Sequence, residues 1–290
     1  MLDISTIIVN YNTAGLLAGC LNSVRHWTGL RSEVIVVDNA SQDDSAATVA
    51  SDFPWVRLIV NERNAGFARA NNQALKVSSG EYVYFLNPDT VVQPGAFEAM
   101  LSFMASHPDV GLAGTRILNP DGSVQSSVER EYPGQGHAQK DLRALAGDIA
   151  WVLGASMIAR RVLMEDLGGF DEGFFLYGEE QDLCLRIRKA GWKIGFIPEA
   201  VVVHWGGQSE RNTPTTDLWK KKFAAELLFY RKHYSERSVL RIHRANVVQA
   251  LWRIFSLRLT LPLCADKKAA SDKLAKYRLA LQTFHFWKVS

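Results

Sequence analysis

The sequence predicts an α/β fold with a mostly parallel central sheet flanked by helices, and three observations predict it. Short, strongly apolar runs alternate with segments of helical spacing through the first ninety or so residues, the signature of repeated strand–helix–strand units. Two of those runs end on acids, in Val36-Val37-Asp38-Asn39-Ala40-Ser41 and Leu86-Asn87-Pro88-Asp89-Thr90. Carboxylates that emerge at the carboxyl ends of buried parallel strands sit where open α/β sheets bind ligands. A third acidic station, Tyr177-Gly178-Glu179-Glu180-Gln181-Asp182, and then His204 follow along the chain.

Ser5-Thr6-Ile7-Ile8-Val9 reads as the first strand, and residues 14–24 as a helix with Leu16, Leu17, Cys20, Leu21 and Val24 on one side. Glu33 to Val37 forms the next strand. The polar turn Ser41-Gln42-Asp43-Asp44-Ser45 caps a helix running through Ala50. A strand over 56–60, a helix over 67–77 and a strand over 81–86 complete this half. No GxxxxGK[ST] or GxGxxG stretch is present, which argues against a P-loop enzyme or a dinucleotide dehydrogenase. Gly134-Gln135-Gly136 is only a weak match in a polar loop.

With 290 residues, 47% of them hydrophobic and 22% charged, the chain suits one large globular domain or a domain plus an appendage. Cys20, Cys184 and Cys264 are far apart and form no CxxC pair, so neither a zinc site nor a disulfide framework is suggested. A reducing cytoplasm is the natural compartment. The start, Met1-Leu2-Asp3-Ile4, has no basic n-region, and Asn10, Asn12 and Asn22 interrupt its uncharged stretch. Neither a signal peptide nor a membrane span is expected there. Charge is split: residues 1–216 hold 17 Lys+Arg against 25 Asp+Glu, and residues 217–290 hold 16 against 5. A basic tail on an acidic body suits an acidic partner, membrane surface or nucleic acid, or is a solvated helical face.

Each candidate residue has a structural reading beside the functional one. Asp38 could accept a hydrogen bond from a base ring N–H, with Asn10-Tyr11-Asn12 packing beside the base, or act as a turn acid. Pro88 ends its strand abruptly and aims Asp89 out of the sheet. A single carboxylate together with diphosphate oxygens and waters is a common way to hold Mg²⁺ or Mn²⁺; as a bare tripeptide Asn87-Pro88-Asp89 is also a simple turn.

Taken together these segments resemble the family-2 inverting glycosyltransferases of GT-A fold, in their bacterial rhamnosyltransferase-like branch. The resemblance rests on Ile7-Ile8-Val9-Asn10-Tyr11-Asn12, Val36 to Ser41, Asn64-Ala65-Gly66-Phe67-Ala68, Asn71-Asn72 and Leu86 to Thr90. It continues through Trp151-Val152-Leu153-Gly154-Ala155, Gly168-Gly169-Phe170-Asp171-Glu172 and Phe174 to Glu180, and closes with Asp182 to Arg186 and His204 to Ser209. It covers roughly the first 210 residues. It implies a Rossmann-like nucleotide-binding half and an acceptor-binding half, here residues 1–118 and 119–212, followed by a basic helical extension at 213–290.

The resemblance also implies roles. Asn10, Tyr11, Asn12, Asp38, Asn39, Asn64, Gly66, Phe67, Asn71, Asn87, Asp89, Gly154, Glu179 and Trp205 become the donor-binding set, with Asp38 on the pyrimidine. Asn87-Pro88-Asp89 stands where many members carry Asp-x-Asp, which makes Asp89 the metal-side carboxylate. Glu179-Glu180 matches a Glu-Asp pair whose second member is the usual base. Glu180 is one methylene longer than that Asp, and Asp182 is the reserve.

Glycosyl transfer with inversion needs a base on the acceptor side and charge neutralisation on the diphosphate side. Asp182 and Arg186 are four apart on one helix face, so pairing is expected, which favours Asp182 as structural and Glu180 as the base. The alternative is a charged helix start that complements the dipole. Gly154-Ala155-Ser156 leaves room for a sugar against the backbone. Trp151 and Trp205 are sugar platforms or groove wall. His204 is either a hydrogen-bonded structural residue or, in the loop that closes over the diphosphate, a metal ligand. Residues 119–148 read as a mobile acceptor-side loop.

In the tail, Trp219, Phe223, Leu227 and Tyr230 fall at helical spacing beside Lys220-Lys221-Lys222. Residues 239–263 mix Leu, Ile, Val and Trp with Arg241, Arg244, Arg253 and Arg258 and are not apolar enough to span a bilayer. Arg244 falls inside the apolar stripe, so one clean membrane-surface helix is not supported. Interleaved basic and aromatic residues still suit an anionic inner leaflet, and packing on the catalytic domain or a second subunit competes with that reading. No nucleic-acid module accompanies the charge.

The resemblance therefore implies a metal-dependent (Mg²⁺ or Mn²⁺) transferase using a dTDP- or UDP-sugar, with dTDP-rhamnose as the leading donor. Its acceptor is a glycan or lipid-linked saccharide, and its place is cytoplasmic, peripheral at the inner face of the plasma membrane. The alternatives are a UDP-hexose or UDP-N-acetylhexosamine transferase, or a catalytically silent carbohydrate-binding subunit, an idea that Asn87 and Glu180 keep open.

Overall fold

The computed structural model describes residues 2–25, 30–208, 211, 213–261 and 266–285. Ser209 of the His204 segment and Cys264 lie outside the described residues.

The alternation read from the sequence appears as β1 (Leu2–Asn10), α1 (Ala14–Val24), β2 (Ser32–Asp38), α2 (Ser45–Asp52), β3 (Arg57–Val60), α3 (Phe67–Leu75) and β4 (Gly80–Leu86). Next come β5 (Thr90–Val92), α4 (Ala96–Ser106), β6 (Val110–Leu118), β7 (Val124–Gln125), β8 (Val128–Glu129) and the short helix α5 (Gln135–Ala138). After these come β9 (Trp151–Val152), β10 (Ser156–Arg160), α6 (Arg161–Asp166), α7 (Glu179–Lys189) and β11 (Lys193–His204). Three long helices follow, α8 (Thr215–His233), α9 (Glu236–Thr260) and α10 (Lys267–His285).

The main sheet runs β3-β2-β1-β4-β10-β6-β11-β5, with β7 on β6. Strands β3, β2, β1 and β4 are parallel, and β11 is parallel to β6; β10, β5 and β7 run against their neighbours. Alternation along each strand feeds two cores. Ile4 and Ile8 of β1 and Tyr82, Tyr84 and Leu86 of β4 face one of them, with Leu17, Leu21 and Val24 of α1 and Phe97 and Met100 of α4. Ile7, Val9, Val83 and Phe85 face the other, with α3, α6 and α7. A sheet covered on both sides explains why the strands are apolar throughout. Truncating a fully buried ring such as Phe85 to Ala would cost about 3–5 kcal/mol.

The parallel registers bring chain exits together. Asn10 lies opposite Asp38 in the β1–β2 pair, and Ile8 lies opposite Leu86 in the β1–β4 pair. Three strands thus release Asn10, Asp38 and Asn87 at one sheet edge, while β10 begins there in the opposite sense, with Ser156 against Leu86.

The chain divides into two compact units, Met1–Tyr132 with Leu145–Arg211, and Pro133–Ala144 with Asn212–Ser290. Residues 119–148 are therefore not one loop. They hold β7, β8, α5 and a 3₁₀ turn at Gln139–Leu142, and their middle belongs to the helical unit. The Tyr234 hydroxyl donates to the Pro133 carbonyl (2.7 Å), and Ser235 N–H donates to Asp141 (3.2 Å) at the start of α9. These are tertiary hydrogen bonds spanning about a hundred residues, which a local polarity pattern does not register. No described helix is long and apolar enough to cross a membrane.

Candidate active site

The sheet edge opens into a cleft of about 300 Å³, lined among others by Tyr11, Asn39, Asn64, Gly66, Phe67, Asn87, Asp89, Gly154, Glu179, Glu180 and His204. Eleven sequence-predicted residues thus share one cavity, drawn from seven separate stretches of chain. Asn10, Asn12, Asp38, Asn71, Asp182 and Trp205 are not among its lining residues.

On one side the polar groups are tied to each other. Asp38 is only 2% exposed. One of its carboxylate oxygens accepts from Ser41 N–H (2.9 Å) and the other from the Asn10 amide (2.9 Å). The Thr13 hydroxyl donates to the Asn10 side-chain oxygen Oδ1 (2.6 Å). Asn12, at φ 54°, accepts from Gln42 N–H (2.7 Å). These bonds set the turn after β2. Asn39 then organises the next loop: its amide donates to Asn64 (2.9 Å), and its oxygen accepts from Asn61 (3.0 Å) and Ala65 N–H (2.9 Å). Gly66 adopts φ +85°, and a Cβ there would stand 2.8 Å from the Phe175 carbonyl oxygen, so only glycine lets this loop close on the 174–177 segment. Phe67 N–H donates to that same oxygen (2.9 Å). Asn71 works from behind, donating to the Phe67 carbonyl (3.0 Å) at the start of α3.

The other side is different. Asp89 and His204 lie at the β5 and β11 ends, where Thr90 pairs with His204, and Asp89 Oδ1 is 3.3 Å from His204 Nε2. His204 Nδ1 lies 3.1 Å from Gln125 Oε1, and the neutral tautomer that donates to this acceptor turns the Nε2 lone pair toward Asp89. That buried Nε2 has no hydrogen-bond partner. A lone pair and a carboxylate aimed at one another in a buried site leave a gap that a cation fits. The two side chains would offer one nitrogen and one oxygen to Mg²⁺ or Mn²⁺, whose remaining positions suit diphosphate oxygens and water. Among the described residues no cluster of three or more metal-ligating side chains occurs. Trp205 contributes its main-chain N–H to the Asp89 carbonyl (3.0 Å) rather than a ring to the cleft.

Across from this pair, Glu179 and Glu180 open α7 and are 5% and 9% exposed. Burial pushes the Glu180 carboxyl up to about 7. Burial first, and then the Glu180 charge, hold Glu179 well above the usual carboxylate range. Glu179 Oε2 has no hydrogen-bond partner. The chain reaches this helix through Tyr177 at φ 71° and Gly178 at φ 83°. A left-handed tyrosine is a strained conformation of the kind that marks ligand sites. Gly154 faces the acids: a Cβ there would sit 3.7 Å from the Glu180 Cβ.

Asp182 is fully buried and bonds Arg186 (2.7 Å), which also donates to the Leu167 and Gly169 carbonyls. Its carboxylate pairs with Arg186 along the helix face, and Asp182 does not line the cleft. Gln125 and Tyr177 also line the cleft, and sequence patterns reveal neither. A two-residue strand has no period to read, and a positive φ at tyrosine has no compositional signal.

An α/β sheet of this order with a cleft at the strand ends is the GT-A fold. The same fold occurs in the mannosyltransferase PcManGT from Pyrobaculum calidifontis in complex with GDP-Man and Mn²⁺ (TM-score 0.57, 19% identity, 99% of this chain and 89% of that one). It also occurs in S. aureus TarS 1-349 in complex with UDP-GlcNAc (TM-score 0.56, 17% identity, 98% and 92%). Residues 5–168 match the family Glycosyl transferase family 2, and the chain belongs to that family. A relative in Mycobacterium tuberculosis, N-acetylglucosaminyl-diphospho-decaprenol L-rhamnosyltransferase, is 30% identical over 75% of this chain and 81% of its own length. The O-antigen biosynthesis protein RfbC of Myxococcus xanthus is 30% identical over 64% of this chain but only 16% of its own length. The chain is thus a family-2 glycosyltransferase of the rhamnosyltransferase-like branch.

Proposed function

We propose that the chain is an inverting, divalent-metal-dependent transferase that moves a sugar, with dTDP-rhamnose as the leading donor, onto a glycan or lipid-linked saccharide. One observation carries the reading: the Asp89–His204 pair, with its unsatisfied Nε2, shares a cleft with two buried acids of raised pKa. The likeness to the mycobacterial rhamnosyltransferase supports the sugar and the lipid-linked acceptor, and such an acceptor favours a site of action at the inner face of the plasma membrane.

In this reading the base packs by Tyr11 and Asn39, and Asp38, buried beneath them, holds the turn that shapes their side of the cleft. Asp89 and His204 would hold the metal, which when bound offsets the negative charge developing on the leaving diphosphate. Gly206 and Gly207, both in the left-handed region and lining the cleft, let the backbone approach the phosphates. Ionised Glu180 takes the proton of the acceptor hydroxyl as that oxygen bonds to the anomeric carbon. The bond from the anomeric carbon to the diphosphate oxygen breaks, its electron pair leaves with the diphosphate, and Glu180 ends protonated. Glu179, whose burial favours the protonated form, donates a hydrogen bond to a sugar hydroxyl and keeps a second negative charge away from the base.

A thermal-shift panel with dTDP, UDP and GDP, each with and without Mn²⁺, tests this on wild type and Asp89→Asn, since ligands of the folded state raise Tm. A Mn²⁺-dependent shift with dTDP that weakens in the variant is the expected result. A shift confined to UDP moves the donor to a UDP-hexose or UDP-N-acetylhexosamine, and no shift with any nucleotide sinks the reading.

A further inference from the structure

Helix α9 carries an apolar face that nothing among the described residues of its own unit covers. Val239, Ile242, Ala250 and Ile254 are buried on one side of it. Val248, Leu251, Trp252, Phe255 and Leu259 are each more than half exposed. They recur at spacings of three, one, three and four, which is one stripe of a helix. Trp252 and Phe255 lie side by side, ring centroids 6.3 Å apart. Soluble surfaces scatter large apolar groups singly, so five contiguous ones mark an interaction site.

The charge around the stripe indicates what covers it. Arg237, Arg241 and Arg244 continue the same stripe toward the start of α9, Arg258 flanks its far end, and all four are exposed. Glu236 is the only acid in the helix. Arg244, which breaks the stripe when the helix is plotted whole, sits at the join between an arginine-rich half and an apolar half. A second copy of this chain fits poorly: a two-fold pairing of identical faces sets arginines against arginines and apolar groups, with no acid in the stripe to neutralise them. A bilayer with anionic headgroups meets both halves at once, acyl chains taking the apolar residues and phosphates the guanidiniums. An indole beside the apolar stripe suits the headgroup boundary.

We propose that the α9 face formed by Val248, Leu251, Trp252, Phe255 and Leu259, with its flanking arginines, docks the protein on an anionic lipid surface. This surface lies in the helical unit, and the proposal stands whether or not the donor assignment does.

The test is flotation of the full chain with phosphatidylcholine vesicles and with vesicles containing roughly one-third phosphatidylglycerol. Wild type is expected to float with the anionic vesicles alone. Trp252→Ser/Phe255→Ser should lower binding by about tenfold or more, and each of Arg241→Gln and Arg244→Gln by about fivefold. Unchanged melting curves will show that the variants fold. In parallel, bromolipids should quench wild-type tryptophan emission, and the quenched component should vanish in Trp252→Phe. Absent binding of wild type, equal binding by the variants, or quenching that survives Trp252→Phe overturns the proposal. So does a concentration-dependent dimer that Trp252→Ser/Phe255→Ser dissolves, which would make the face a contact between copies.

Discussion

The two sides of the cleft are equally polar in sequence but differ in what their hydrogen bonds leave over. Around Asn10, Asp38, Asn39 and Asn64 each of the four side chains is bonded to its neighbours. At Asp89, His204, Glu179 and Glu180, two buried atoms lack partners, two carboxyls have raised pKa values, and the backbone enters through a left-handed tyrosine. Unsatisfied buried polar atoms are costly and need a reason. The first side is scaffold that gives the cleft its shape, and the second holds binding potential in reserve for a ligand.

Substituting the second side should change chemistry, and the largest effect is expected at Glu180. Glu180→Gln should lower turnover by about a thousandfold while nucleotide binding stays intact, read by initial rates beside thermal shifts. Retained turnover would move the base elsewhere; loss of nucleotide binding as well would place Glu180 on the donor. In wild type, activity should fall as pH drops below about 7, where Glu180 takes up its proton. The stability sign is opposite. Because the folded protein binds this proton more tightly than the unfolded chain, the Glu180 contribution to stability falls as pH rises from the ordinary carboxylate range to about 7. Glu180→Gln should therefore raise Tm at pH 8 by a few degrees, an increase on the order of 2 kcal/mol in stability.

Asp182 stands three residues from Glu179 yet belongs with the scaffold. Asp182→Ala should cost about 3 kcal/mol of stability, because Arg186 loses its buried partner, measured by urea unfolding. A variant of normal stability and no activity would instead return Asp182 to the chemistry. Asp89→Asn should abolish the Mn²⁺-dependent part of the nucleotide shift and reduce turnover by about a hundredfold, with little change in Tm of the unliganded protein. The smallest effect sharpens the boundary. Gln125→Leu removes the acceptor that orients His204, and should weaken Mn²⁺ affinity about tenfold without changing nucleotide binding in the absence of metal. Titration of Mn²⁺ by calorimetry at fixed nucleotide reads it directly.

The first side of the cleft was more legible than its meaning. The strands over 5–9, 33–37 and 81–86 and the helix over 14–24 follow from local apolar spacing, and they lie within the observed Leu2–Asn10, Ser32–Asp38, Gly80–Leu86 and Ala14–Val24. Whether Asp38 faces a ligand or a turn does not follow from spacing. It depends on Asn10 and Ser41 arriving from either side, the first from a different strand. Similarly, the acidic run of 179–182 identifies a charged helix start, but only the fold turns Glu179 and Glu180 into the cleft and Asp182 toward Arg186.

The amino-acid sequence by itself determined the alternating elements, the acids at their ends and the basic character of the tail. Each is a local property, fixed by side-chain periodicity and composition. Tertiary structure alone decided which polar atoms remain unpaired, which carboxyls are buried enough to hold protons near neutrality, and which face of α9 stays bare. Those outcomes depend on groups brought together from distant positions. Gln125 and His204 are 79 residues apart, and burial of a charge is a property of everything packed around it rather than of its neighbours in the chain.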